Sequence, residues 1–277
     1  NNRGNLTERK DWNSVNSSGV FQAITRPLIA GNSISTGHTY DSFGNRLGDR
    51  DARGHYTTYT YGNVGGQTNL YPTTIVVASD DNSVKQTIIR DYDLSRGVVK
   101  TETDPNSVQT VTGYDIFGRP TDIAKGNKHT TKIYSDSGRY VVTRTDLDAT
   151  RKATTIQRFD PLYRLRLSQT LESSTTPNWA DETLGIKTER RYSIGSAGNF
   201  ELTSNPYRTT SDEIMGWTRS SRDTAGRVIE VRHYSGSTPP APWGNNASSS
   251  GAVVTGYDRE KVTVTDEAGK VRRSILD

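Results

Sequence analysis

The sequence predicts an all-β chain of tandem β-hairpins stacked into one long, curved or spiralling sheet. Three observations predict it: a turn motif recurs along nearly the whole length, the segments between its copies alternate with period two, and the composition is rich in Thr and Ser. Those two residues make up 64 of 277 positions, whereas Leu, Ile, Val and Phe together make up only 52. Half-exposed strands suit such a chain better than helices do. So small an aliphatic share would read as disorder in a chain of high net charge. Here the formal net charge is only +4, with 14 Tyr and 4 Trp, and a thin repetitive β-structure is expected instead.

The repeat is clearest at Tyr40-Asp41-Ser42-Phe43-Gly44-Asn45-Arg46-Leu47 and Tyr114-Asp115-Ile116-Phe117-Gly118-Arg119. Weaker copies are Tyr134-Ser135-Asp136-Ser137-Gly138-Arg139 and Phe159-Asp160-Pro161-Leu162-Tyr163-Arg164-Leu165. Arg222-Asp223-Thr224-Ala225-Gly226-Arg227-Val228 keeps all but the aromatic. Half-units of the same grammar begin at Asp51, Asp104 and Asp266, and the spacings Tyr92 to Tyr114 and Tyr114 to Tyr134 are 22 and 20 residues. The Asp side chain accepts a hydrogen bond from backbone two residues on, and Gly supplies the positive φ that closes a type I turn with a bulge. Successive turns ten or eleven residues apart, as from Asp41 to Asp51 and Asp104 to Asp115, leave ordinary strand lengths between them. Val262-Thr263-Val264-Thr265 and Thr57 to Tyr61 alternate as such strands should.

The rhythm breaks twice. Loop insertions are expected near 173–185, with Pro177 and Trp179, and near 235–251, with Pro239, Pro240, Pro242 and Trp243, because Pro cannot continue a ladder. Residues 1–277 otherwise read as one continuous repeat region. No charged-then-apolar leader is visible at Asn1, and Asn1 and Asp277 both fall at the Asp position of a unit. No run of 18 apolar residues is present, so no membrane-spanning helix is expected.

Candidate chemistry is sparse. The chain has no Cys, which removes disulfides, thiolate nucleophiles and cysteine-ligated metals. His38, His55, His129 and His233 are far apart and read as exposed or strand-face residues. Asp80-Asp81-Asn82 and Asp91-Tyr92-Asp93 cluster oxygens without the glycine or length of a calcium loop, so turn chemistry is the reading. The repeat tyrosines read as cross-strand aromatic packing. Arg46, Arg119, Arg139, Arg164 and Arg227, just past the turn, are expected to bond turn carbonyls or carboxylates on the adjacent hairpin. The basic pairs Arg190-Arg191 and Arg272-Arg273 are too short for a nucleic-acid footprint. Neither a catalytic residue nor a cofactor or metal ligand is assigned.

The tyrosine–aspartate unit with Gly-Arg closing its turn resembles the RHS, or YD-repeat, proteins. That resemblance implies a strip of hairpins spiralling into a hollow shell that encloses a toxin or other polypeptide, as part of a larger secreted or surface protein of bacteria. Partners would be the rest of the same polypeptide and its cargo. The family's self-cleaving aspartyl core carries Asp-Pro-x-Gly-Arg, whereas Asp104-Pro105-Asn106-Ser107 lacks both Gly and Arg, so no catalytic residue carries over. The expectation is a non-enzymatic shell segment. The alternative is a surface adhesin or filament module, binding glycans or adjacent identical chains through the loops at Trp179 and Trp243.

Overall fold

The structure, a computed structural model, describes residues 8–15, 21–23, 34–173, 176–195 and 198–275. Asn1 and Asp277, expected at the Asp position of a unit, lie outside these residues. The described residues contain strands and turns and no helix, in line with the predicted all-β class. They divide into two compact units, 1–129 and 130–277.

In the first unit, β1 (Glu8–Val15) pairs with β2 (Phe21–Ala23) and with β3 (Ile34–Tyr40). From β3 the chain meanders, each strand antiparallel to the next. The order is β4 (Arg46–Arg50), β5 (Tyr56–Thr60), β6 (Thr74–Val77), β7 (Gln86–Asp93), β8 (Val98–Thr103), β9 (Gln109–Tyr114) and β10 (Pro120–Lys125). Its buried apolar residues among those described are few: Val64, Ala78 and Tyr92.

The second unit continues the same pattern. It runs through β11 (Lys128–Ser135), β12 (Tyr140–Asp146), β13 (Lys152–Phe159), β14 (Leu165–Ser173) and β15 (Ile186–Ser193). Then come β16 (Phe200–Ser204), β17 (Gly216–Arg222), β18 (Val228–Ser235), β19 (Ser249–Asp258), β20 (Lys261–Thr265) and β21 (Val271–Ile275). β15 changes partners midway: Ile186 to Glu189 pair with β14, and Arg190 to Ser193 pair with β16. The other edge of its first half is taken by Tyr207, which bridges Lys187 with both backbone hydrogen bonds.

The core of this unit follows from period-two alternation. Val142, Ile156 and Gln169 are register partners on three successive strands, and all three are fully buried. A second cluster gathers Leu202, Tyr207, Met215, Trp217 and Tyr234, with Trp243 packed against it. The predicted insertions fall between β14 and β15 and between β18 and β19, although the second ends sooner than expected because Ser249 to Gly251 already belong to β19. Two further long connections, 61–73 with Pro72 and 205–215 with Pro206, are not expected from the sequence.

Candidate functional site

Seven turns share one construction. At Asp41, Asp51, Asp104, Asp115, Asp160, Asp223 and Asp266, one carboxylate oxygen accepts backbone N–H bonds from the residues two and four positions on. The backbone carbonyl of each Asp accepts from the N–H three residues on. The residue before each Asp pairs with the residue five after it. The left-handed position is glycine in five turns and Ser107 (φ 63°) and Tyr163 (φ 58°) in the other two. The copy at Tyr134 is shifted: Arg139, not Gly138, takes the positive φ, because the turn opens at Asp136.

Arginine closes the turn upon itself. Arg119, Arg164 and Arg227 each donate Nε–H to the second oxygen of their own turn aspartate, at 2.7–2.8 Å. This corrects the expected pairing with carboxylates on the adjacent hairpin; the Asp and Arg side chains four residues apart already meet across the turn. Arg46 sits one place too late for that geometry, so Asn45 bonds Asp41 instead, and Arg46 turns to Asp49 and His38. Hydrogen bonding lowers several turn carboxylates. The Arg227 backbone N–H leads at Asp223. At Asp93 the Ser95 hydroxyl and then Arg96 bring the pKa to about 2.

Tyrosine links one turn to the next part of the strip. The phenols of Tyr114, Tyr192 and Tyr257 donate to the carbonyls of Val99, Leu165 and Val228 at 2.6, 2.8 and 3.2 Å. In all three latches the carbonyl lies two residues past the left-handed residue of an earlier turn. Arg164 and Arg227 lie over the rings of Tyr192 and Tyr257, at 4.5 and 4.4 Å from the centroids, a favourable cation–π arrangement. Tyr92 stacks at 4.6 Å on Tyr71, which lies in the connection before β6 and not on a neighbouring strand; phenol-to-carbonyl contact is the repeated device.

The loop carrying Trp179 is held from below by three buried polar side chains. Arg158 donates Nε–H to Gln169 Oε1 at 2.7 Å and Nη2–H to the carbonyls of Trp179 and Asp181. Gln169 Nε2 donates to the carbonyls of Asp181 and Leu184. Lys187, 6% exposed, donates to the carbonyls of Thr183 and Arg208, and its ammonium lies over the Tyr207 ring. Sequence reading missed these three. The signal present was the run Leu167-x-Gln169-x-Leu171, a polar residue flanked by leucines on one strand face.

Above this hub lies a cavity of about 660 Å³ between β14, β15, the Trp179 loop and the segment after β16. Around it Arg166 pairs with Glu182, and Arg191 with Glu189, whose other oxygen accepts the Tyr207 hydroxyl. Burial, followed by that hydrogen bond, raises the Tyr207 pKa. The indoles of both predicted loops pack against protein: Trp179 beneath Arg144, and Trp243 edge-on to Phe200 at 5.7 Å.

The four histidines stay apart, each beside a carboxylate: His38 with Asp49, His55 with Asp80, His129 with Asp122 and His233 with Glu267. Asp81 and Asp93 accept turn N–H and hydroxyl groups, as turn chemistry predicts, whereas Asp80 accepts the backbone N–H of Tyr56 on β5. Among the described residues no three His, Asp or Glu side chains converge on a common point.

No family model matches the chain, and no curated protein matches it. Among solved structures it is similar to the crystal structure of TcdB2-TccC3, at 12% identity and a TM-score of 0.34, over 97% of this chain and 19% of that one. It is likewise similar to that of TcdB2-TccC3-TEV, at 10% identity and a TM-score of 0.23, over the same shares. The chain therefore spans 19% of the length of these neighbours, and its all-β assignment rests on its own ladders and turns.

Proposed function

We propose that this chain is a non-enzymatic stretch of wall in a shell of the RHS or YD-repeat kind, part of a larger exported bacterial polypeptide that encloses a toxin or other polypeptide cargo. The observation that carries the reading is the latch: the phenols of Tyr114, Tyr192 and Tyr257 reach back to earlier turns. Adjacent hairpins are thereby tied by side chains as well as by ladders. A thin sheet with few buried aliphatics gains cohesion from such ties, each contributing about 1 kcal/mol net. A barrier needs that cohesion along its whole surface and needs no reactive centre.

The test uses the full-length parent. Limited proteolysis should leave this region and the enclosed passenger intact together, and Tyr192→Phe combined with Tyr257→Phe should speed digestion of the passenger. Rapid cleavage of this region in the native parent, with the passenger equally exposed before and after substitution, would overturn the container reading.

A further inference from the structure

The chain has no Cys, so no disulfide can tie its connections to the sheet. It does place two tyrosines where another covalent tie can form. Tyr71, in the connection 61–73, and Tyr92, on β7, stack with ring centroids 4.6 Å apart and planes 15° from parallel. At that spacing the two rings touch face to face, carbon against carbon. Both rings are pinned. The Tyr92 hydroxyl donates to the carbonyl of Pro72, the residue after its stacking partner, at 2.9 Å. Beside it the Arg90 N–H donates to the Thr73 carbonyl at 2.8 Å. The Tyr71 hydroxyl lies against Gly97, where a Cβ would come to 3.1 Å. A register shift between Asp91 and Tyr92 sets the direction of the second ring, as bulges re-aim side chains.

We propose that Tyr71 and Tyr92 form a site of oxidative cross-linking, joined through their ortho ring carbons by a one-electron oxidant such as a peroxidase supplied with hydrogen peroxide. Each phenol gives up one electron and one proton. A carbon–carbon bond forms between the two ortho positions, and the hydrogens on the joined carbons move to the phenol oxygens. The two electrons and two protons reduce one hydrogen peroxide to two waters. Tyr71 is half-buried and meets the oxidant first; Tyr92, buried, loses its electron through the stacked ring. Charge favours this pair. Lys187, Arg164 and Arg227 lie over Tyr207, Tyr192 and Tyr257. A cation held by a ring's electrons opposes their removal. Among the described residues no cation lies over Tyr71 or Tyr92, and Arg90, which interacts with Tyr92, is neutralised by Glu102 at 2.8 Å. The bond would fasten the connection 61–73 to β7.

Treatment of the full chain with peroxidase and hydrogen peroxide, followed by digestion and mass spectrometry of the monomer, tests this. A peptide pair joining Tyr71 to Tyr92, lighter than its two parts by two hydrogen atoms, should be the main link within one chain, and dityrosine fluorescence should rise with it. Tyr71→Phe and Tyr92→Phe should each abolish that signal in the monomer, whereas Tyr163→Phe, at an exposed turn position, should leave it unchanged. Tyr71→Phe should also spare Tyr92 from oxidation; Tyr92 oxidised as readily without Tyr71 would overturn the route through the stack. The position of the link in the wild-type chain decides the matter even where a variant loses its fold. Oxidation of Tyr163 with no link between Tyr71 and Tyr92, or a main link made instead by Tyr61, which lies near enough to Tyr92 to feel its charge, would overturn the proposal.

Discussion

Replacing Gln169 with leucine removes a fully buried amide at nearly constant volume. Three hydrogen bonds vanish: one from the Arg158 guanidinium at 2.7 Å, and two to the carbonyls of Asp181 and Leu184 at 3.1 and 3.0 Å. The first, made by a charged donor, carries about 1.5–3 kcal/mol, and the other two carry about 1 kcal/mol each. Leucine returns roughly 1 kcal/mol through extra apolar burial. The expected net loss is about 3 kcal/mol, because Arg158 Nε is left buried and unpaired. Because the chain divides into two compact units, a single global transition is a poor readout of a local change. Hydrogen exchange followed by mass spectrometry on peptides covering β13, β14 and residues 176–185 resolves the local effect. Faster exchange in 176–185, with a smaller change in β3 to β5, is expected. A loss below about 1 kcal/mol with unchanged loop exchange would show that the loop is not held by this hub.

Other outcomes follow from the turns and latches. Ser107→Gly and Tyr163→Gly relieve a left-handed conformation at exposed positions, and each should raise the urea midpoint by the equivalent of about 0.5–1 kcal/mol. Tyr257→Phe removes the bond to Val228 and should lower stability by about 1 kcal/mol while leaving the circular dichroism spectrum unchanged. Asp93 has a folded pKa of about 2 against an ordinary 3.8; its folded-state advantage is complete above the ordinary value and is lost as pH falls through 2. Melting temperatures between pH 5 and pH 2 should therefore decline, and Asp93→Asn should flatten that decline.

The fold was legible because its signals are local. An Asp-x-x-Gly turn is written within four residues, and its geometry does not depend on what lies elsewhere. The seven turns accordingly match in backbone and side-chain bonding. Ser107 and Tyr163 took the glycine's place without changing the construction, since the aspartate bonds and flanking ladder outweigh the cost of one left-handed residue. The same locality explains the error at Arg139, where a one-residue offset moved the left-handed position from Gly138 to the arginine.

The site was not legible because its contacts span distances that no local pattern fixes. Tyr192 meets Leu165 across 27 residues and Tyr257 meets Val228 across 29, whereas Tyr114 meets Val99 across only 15. Inserted loops lengthen the first two spans, so the latch is constant in space and variable in sequence. Lys187 and Arg208 meet because the segment after β16 lies along the free edge of β15. That placement depends on β15 exchanging one partner strand for another midway. Where one hairpin simply follows the next, each strand edge is covered by its neighbour and little space opens between them. The exchange at β15 breaks that rule, and the cavity beside Lys187 and Tyr207 is the opening it leaves.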